Sequence, residues 1–150
     1  MVVNNGSELG FSISKGDESR LEDWRAREWK KFNKKKGFSW DEKRNCLVAK
    51  SSGRILGYLT FTISGGVGYV KELIVSETAR GRGIGSSLII RAENSCRKAG
   101  CHKMQLESEK ENIGFYKGKG WKVSTKLKND IFHLTWYVME KQLRKRALAK

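Results

Sequence analysis

Two neighbouring segments decide the fold of this chain: Tyr69-Val70-Lys71-Glu72-Leu73-Ile74-Val75 and, after four intervening residues, Arg80-Gly81-Arg82-Gly83-Ile84-Gly85. The first segment predicts a strand, and the residues from Ile84 to Lys98 predict a helix. Glycines between a strand and a helix allow a tight turn that brings backbone N–H groups close to a ligand. The helix N-terminus adds unpaired donors and a partial positive charge, so the segment predicts a phosphate or pyrophosphate site.

The two common nucleotide-binding glycine loops do not fit this segment. A P-loop requires the pattern G-x-x-x-x-G-K-[ST], and neither that spacing nor the lysine is present. A dinucleotide fingerprint requires G-x-G-x-x-G, whereas Gly81, Gly83 and Gly85 alternate with single residues. Neither of these nucleotide-binding folds therefore fits.

The remaining elements extend outward from this loop. Strands are predicted over residues 46–49, 55–63, 68–75, 103–107, 121–127 and 131–139, and a short helix over residues 109–117. Hairpins come first and a strand–helix–strand unit follows, which predicts an α+β fold with a mixed, mostly antiparallel central sheet flanked by helices.

The N-terminal part predicts one amphipathic helix. Asp17 is a candidate N-cap for a helix over residues 18–32, which the run 34–37 would end. Trp24 and Trp29 are expected on a face that packs inward. Residues 38–44 are ambiguous and compatible with one further helical turn.

Length and composition predict one compact domain over residues 1–150, with a basic tail over residues 140–150 that is frayed or forms a short helix. No apolar run is long enough for a membrane span, so cytoplasmic residence is the expectation. The three cysteines lack metal-ligand spacing and predict packed free thiols in a reducing compartment, and no metal site is expected.

The net charge of +15 favours polyanionic partners and disfavours polycationic small molecules, such as aminoglycosides and polyamines, as substrates. Nucleic acid, an acidic protein or a phosphate-rich cofactor would all satisfy this charge. High charge that serves only solubility is an equally valid explanation.

A second motif lies between the predicted short helix and the next strand: Gly114-Phe115-Tyr116-Lys117-Gly118-Lys119-Gly120-Trp121. Together with the loop Arg80–Gly85, it resembles the two signatures of the GNAT superfamily of N-acetyltransferases, in that family's order. The resemblance covers about residues 46–139. It implies the GNAT fold and transfer of an acetyl group from acetyl-coenzyme A to a primary amine.

The resemblance also implies roles for individual residues. Backbone amides from Gly81 through Ser86, including those of Arg82, Gly83, Ile84 and Gly85, would hold the coenzyme A pyrophosphate, with Arg80 and Arg82 near the phosphates. The strand edge Leu73-Ile74-Val75 would pair with the pantetheine arm and polarise the thioester carbonyl. Tyr116 would be the general acid that protonates the departing thiolate.

Two assignments have alternatives. Glu72 is the favoured general base for the amine and Glu107 the second candidate, while a mechanism without a protein base is also open. Many relatives have an asparagine seven residues before the tyrosine, where this chain has Glu109, so Asn112 is the candidate coenzyme contact instead.

The acceptor is left open by the sequence: a protein N-terminus, a lysine side chain or a small amine. Two other functions compete with catalysis. One is nucleic-acid binding through Lys34–Lys36, the basic tail and exposed aromatics, either as the main function or as an accessory one. The other is a non-catalytic sensor of acyl-coenzyme A. A homodimer formed through residues 131–138 is a further expectation.

Overall fold

The computed structural model describes residues 10–37 and 41–144. The chain divides between residues 40 and 41 into two compact units. The first contains a 3-10 turn over Glu18–Leu21 and helix α1 over Glu22–Lys36. The second contains these strands and helices: β1 (Lys43–Ser51), β2 (Arg54–Ser64), β3 (Val67–Val75), α2 (Ile84–Lys98), β4 (Lys103–Ser108), α3 (Ile113–Lys117), β5 (Lys122–Leu127) and β6 (Trp136–Gln142).

The first unit has the predicted cap but a later helix. The Asp17 carboxylate accepts a hydrogen bond from the Ser19 amide at 3.0 Å, yet the turn it caps is 3-10, and α1 begins only at Glu22. The helix continues to Lys36 and ends at Gly37, whose φ of 76° is left-handed. Trp24 and Trp29, expected on a packed face, are 57% and 50% exposed.

Within the described residues of the second unit, six strands form one sheet in the order β1-β2-β3-β4-β6-β5. Only β3 and β4 run parallel, and every other neighbouring pair is antiparallel. This confirms the predicted α+β class with a mixed, mostly antiparallel sheet. The β1–β2 and β2–β3 hairpins close through Ser52-Gly53 and Gly65-Gly66, whose positive φ angles suit two-residue turns.

Hairpin pairing makes β1 longer than predicted. Lys43 and Arg44, placed by the sequence in an ambiguous turn, pair with Ile63 and Thr62 of β2. Of the rest of that ambiguous segment, residues 41–42 form neither helix nor strand, and residues 38–40 lie outside the described residues. Cross-strand hydrogen bonds therefore extend the strand beyond its apolar centre.

Strand β6 begins later than predicted. Residues Ile131–His133 form a 3-10 turn instead of strand, and Phe132 and His133 both have positive φ, at 56° and 59°. The turn is closed by hydrogen bonds from the Asp130 amide to the Leu134 carbonyl and from the His133 amide to the Asp130 carbonyl. Apolar composition alone did not distinguish this turn from a strand.

Part of the expected basic tail belongs to the sheet. Strand β6 runs to Gln142, and the Lys141 side chain is only 19% exposed because it forms an ion pair with Glu93. Residues 145–150 of that tail lie outside the described residues.

Helix α2 packs across β1, β2 and β3 and supplies one side of the core. Its buried residues include Ile89, Ala92, Glu93 and Cys96, which recur at helical spacing. The largest buried side chains in the described part of the chain are Trp121, Phe61, Leu59, Ile89, Met104, Leu106 and Met139.

Strand β3 contains a bulge. Thr60 pairs with Glu72 but Phe61 pairs with Val70, so Lys71 is an extra residue in β3. Lys71 and Glu72 are consequently both exposed, although neighbours in a regular strand face opposite sides. No described helix is long and apolar enough to cross a membrane.

Candidate active site

The glycine loop presents unpaired amides at the start of α2. Gly81 and Gly83 have φ angles of 75° and 79°, a left-handed conformation that residues with a side chain rarely adopt. Gly83 is the N-cap and has no side chain to accept hydrogen bonds. The first N–H groups of the helix therefore remain available to an anionic ligand, as the sequence predicts.

Strands β3 and β4 diverge towards their carboxyl ends, where β3 leads towards the glycine loop. Parallel pairing of β3 with β4 ends at Tyr69 and Gln105, although β3 continues to Val75 and β4 to Ser108. The bulge at Lys71 lies just past the last pair, and bulges increase the local twist of a strand. The sheet consequently opens into a wedge at the carboxyl ends of these two strands.

A continuous groove occupies this region. One cleft of about 370 Å³ lies over the glycine loop, and a second of about 590 Å³ extends between β3 and α3 to Tyr116. They share Val75, Arg80, Gly85 and Phe115 as walls. The predicted site residues that line the groove are Leu73, Ile74, Val75, Arg80, Gly81, Gly83, Ile84, Gly85, Ser86, Asn112 and Tyr116.

Two predicted site residues lie elsewhere. Arg82 lines a separate cleft together with Arg91 and Ser87, on the side of α2 that faces β1. Glu72 lines a cleft formed by β1, β2 and β3. Arg80, by contrast, is held at the groove because its Nε donates to the Val75 carbonyl at 3.2 Å. Only Arg80 of the two loop arginines therefore borders the groove.

Tyr116 lies at the inner end of the groove and is 9% exposed. Its ring packs edge-on against Phe115 and Trp121, with centroid distances of 5.0 and 5.9 Å. Burial raises the pKa of the phenol above its usual value of 10.0. The hydroxyl is therefore fully protonated at neutral pH, which is the form a general acid requires.

Glu72 has a distinct environment of mixed charge. Its Oε2 accepts a hydrogen bond from the Thr60 hydroxyl at 3.2 Å, and its charge is the main cause that raises the pKa of Tyr58. The cleft around it measures about 540 Å³ and is also lined by Arg44 and Lys71. Glu72 nevertheless directly precedes Leu73, which borders the groove.

Glu107, the alternative base, is bound to a tyrosine at the point where the strands separate. The Tyr69 hydroxyl donates to Glu107 Oε1 at 3.0 Å, and Lys71 Nζ lies 4.2 Å from the centre of the Tyr69 ring. Burial, followed by this hydrogen bond, raises the pKa of Tyr69 to about 12. The Tyr69 phenol therefore acts as a permanent donor to Glu107 at neutral pH.

Some residues of this region were not assigned to the site from the sequence. Phe115 borders both clefts, and Glu109 and Glu111 line the end near Tyr116. Glu93 is 2% exposed and accepts a hydrogen bond from the Trp121 indole at 3.0 Å. Its position four residues after Ile89, on the apolar face of α2, was the available signal.

Among residues 10–37 and 41–144, no group of three His, Cys, Asp or Glu side chains could hold a metal ion. Of the three cysteines, all free thiols, Cys96 and Cys101 are buried, but Cys46 is exposed rather than packed.

Comparisons with known proteins agree on one family. A model of the "Acetyltransferase (GNAT) family" matches residues 15–121. An IAA acetyltransferase of Azospirillum brasilense is 38% identical over 80 residues, which are 50% of this chain and 52% of that protein. A glucosamine 6-phosphate N-acetyltransferase of Trypanosoma brucei brucei is 32% identical over 78 residues, 47% of this chain and 53% of that protein. The chain spans about half the length of these curated relatives.

Solved structures show the same fold. An acetyltransferase from Bacillus cereus has a TM-score of 0.72 at 23% identity, covering 89% of this chain and 99% of that one. An aminoglycoside 6'-N-acetyltransferase complexed with coenzyme A has a TM-score of 0.64 at 16% identity, covering 69% and 75%.

Proposed function

Because the chain belongs to the acetyltransferase (GNAT) family and is therefore an acyltransferase, we propose that it transfers an acetyl group from acetyl-coenzyme A to a primary amine. The observation that carries this proposal is the continuous groove from the amides of the glycine loop to the buried phenol of Tyr116. One end of the groove suits a pyrophosphate and the other a departing thiolate.

The cofactor end of the groove fits a pyrophosphate because its donors are backbone amides fixed by the loop. Amides of Gly81 through Ser86 bind the phosphate oxygens, and the partial positive charge of the α2 N-terminus adds to this attraction. The Val75 carbonyl keeps Arg80 beside the groove. Arg82 does not line the groove but adds positive charge from the neighbouring cleft.

At the other end of the groove, where the thioester would react, hydrogen-bond donors must stabilise the negative charge that develops during the reaction. Leu73-Ile74-Val75 pairs with β2 along one edge, and its other edge is unpaired where β3 has left β4. An N–H group on that edge stabilises negative charge on the thioester oxygen. Tyr116 then gives its proton to the thiolate as the amine displaces it, and Asn112 binds the coenzyme from the opposite wall.

We assign the general base to Glu72, with Glu107 as the alternative. Glu72 directly precedes the thioester-binding backbone and lies in an open cleft that an amine can enter. Glu107 Oε1 already accepts a hydrogen bond from the Tyr69 hydroxyl, so one of its two oxygens is occupied. The acetyl-transfer rates of the Glu72→Gln and Glu107→Gln variants, compared with each other, show which carboxylate is the general base.

The cleft around Glu72 favours an acceptor that carries both an amine and an anionic group. Glu72 and Glu42 suit the ammonium. Lys71, and Arg44 whose Nε also lies 3.5 Å from Glu42 Oε1, suit a phosphate or carboxylate. Relatives named glucosamine 6-phosphate N-acetyltransferases and an N-alpha-acetyltransferase from Arabidopsis thaliana supply matching acceptors for a first panel.

Two buried free thiols agree with a reducing compartment, and we place the protein in the cytoplasm.

The experiment that tests the proposal measures acetyl-coenzyme A binding by calorimetry. The wild type is expected to bind, whereas a Gly83→Glu, Gly85→Glu double variant is not, because two carboxylates would occupy the phosphate end. The control is Asn94→Glu, Ala99→Glu, which adds the same charges at the exposed far end of α2.

Three outcomes decide between the functions. Binding together with acetyl transfer to an amine of the panel supports the proposal. Binding without turnover on any amine supports the acyl-coenzyme A sensor. No binding by the wild type overturns the acetyltransferase proposal and returns nucleic acid to consideration.

A further inference from the structure

We propose that Glu93 is a positioning residue for Tyr116, which it holds at the end of the groove through Trp121 and Lys141. The inference rests on the proposed function and extends it, because it explains how Tyr116, the proposed general acid, is aligned with the glycine loop at the start of α2.

Glu93 is a carboxylate with little contact to solvent. It lies in the middle of α2 and is 2% exposed. Its Oε1 accepts the Trp121 indole N–H at 3.0 Å, and its Oε2 accepts Lys141 Nζ at 2.7 Å. Arg97, one turn along the helix, lies 3.6 Å from the same Oε2. Both oxygens are thus occupied by donors from outside α2, since Trp121 lies just before β5 and Lys141 lies in β6.

Those donors fix the segment that follows Tyr116. Lys141 Nζ also donates to the Lys119 carbonyl at 2.6 Å. The amides of Lys119 and Trp121 both donate to the Tyr116 carbonyl, at 2.9 and 3.2 Å. Trp121 additionally packs its ring against the phenol. The backbone turn after Tyr116 is therefore attached at two points to one carboxylate.

The chemistry of this network indicates alignment as its purpose. A buried ion pair contributes little net stability compared with apolar residues of the same volume, because its desolvation is costly. Directional hydrogen bonds, however, define a position that apolar packing leaves looser. Since α2 also presents the phosphate-binding amides at its N-terminus, Glu93 ties the acid and the phosphate site to one rigid helix.

The first test replaces Glu93 with Gln, which retains an acceptor for the indole but loses the charge that holds Lys141. We expect kcat to fall by up to about 100-fold, as for small misplacements of a catalytic group, while the Kd of coenzyme A is unchanged. The control is Lys98→Gln at an exposed position of the same helix, which also changes the charge by one and should leave both values unchanged.

A double-mutant cycle separates positioning from a general loss of structure. If Glu93 acts through the phenol, Glu93→Gln costs no further activity in a Tyr116→Phe background. An equal loss of kcat in both backgrounds would overturn the inference. Trp121→Phe provides a second variant that keeps an aromatic ring and removes the indole donor, and thermal unfolding verifies that each variant is folded.

A readout that does not need activity distinguishes this inference from the proposed function. The pKa of Tyr116 is measured from the tyrosinate absorbance of each protein minus that of its Tyr116→Phe counterpart. Glu93→Gln should shift the Tyr116 pKa towards 10.0, the usual value for a phenol in water, because the ring is less firmly held in its buried position. An unchanged pKa contradicts the positioning role, whereas a shifted pKa in a protein without transferase activity contradicts only the proposed function.

Discussion

At the scale of single residues, the site depends on side chains whose environment differs from water. Tyr116 is surrounded by aromatic rings, and Tyr69 is tied to Glu107. In both phenols, burial raises the pKa, so both remain protonated at neutral pH. Their proposed tasks differ, because only Tyr116 borders the groove.

Replacing Tyr116 with Phe should lower kcat by at least about 100-fold, since proton transfer by a positioned group contributes that much or more. Binding of acetyl-coenzyme A should be unchanged, because the ring packing is retained. Steady-state kinetics and calorimetry measure the two effects. Tyr137→Phe removes the same hydroxyl from β6 and should have little effect; a similar loss in both variants would remove Tyr116 from the mechanism.

Tyr69 should titrate at about pH 12 instead of the usual 10.0. Because the folded state keeps this proton longer than the unfolded state, the associated stability is fully present below pH 10 and is lost as the pH rises towards 12. The tyrosinate absorbance of the wild type minus that of Tyr69→Phe measures this pKa. A value near 10 would mean that the phenol is solvated and does not donate to Glu107.

At the scale of elements, the close approach of β3 to α2 and β4 determines how the groove is supported. A Cβ atom on Gly68 would lie 2.5 Å from Cys96 Sγ and 3.0 Å from Met104 Cγ. Gly68 therefore lets β3 lie close to its two neighbours just before it diverges from β4.

A Gly68→Ala variant should lose about 1–3 kcal/mol of unfolding free energy, because the methyl group forces α2 and β4 apart. Chemical denaturation measures the change. Gly114→Ala is the control: its Cβ meets nothing within 4 Å, and alanine in a helix should be neutral or stabilise by up to about 1 kcal/mol. Equal effects at the two positions would contradict the packing described for β3.

At the scale of the whole molecule, the charge of +15 should steer anionic substrates towards the protein. Raising the ionic strength from about 0.01 M to about 0.15 M shortens the screening length from about 30 Å to about 8 Å. We therefore expect kcat/KM for acetyl-coenzyme A to fall with salt while kcat at saturation is unchanged.

A pair of arginine variants locates the source of this effect. Arg82→Gln, beside the groove, should weaken the salt dependence of kcat/KM, whereas Arg20→Gln in the first unit should not. If both variants respond alike, net charge alone accounts for the salt dependence of kcat/KM, and the glycine loop makes no separate contribution to it.

Prediction from sequence succeeded where structure depends on near neighbours. The bounds of α2 agree at both ends, because glycines with left-handed φ precede its first residue and a glycine follows its C-cap. It failed over residues 131–135, where an apolar run forms a turn closed by hydrogen bonds. The sequence also did not indicate that Arg82 and Glu72 lie in clefts beside the groove.

By itself, the sequence determined the fold class, the family and the loop at the start of α2, since turn geometry and helix capping depend on residues a few positions apart. Only the tertiary structure decided that β3 and β4 separate after Tyr69 and Gln105, and that Glu93 meets Trp121 and Lys141. These contacts join residues 28 and 48 positions apart in the chain. Their geometry depends on how the whole sheet packs against α2, which no local pattern specifies.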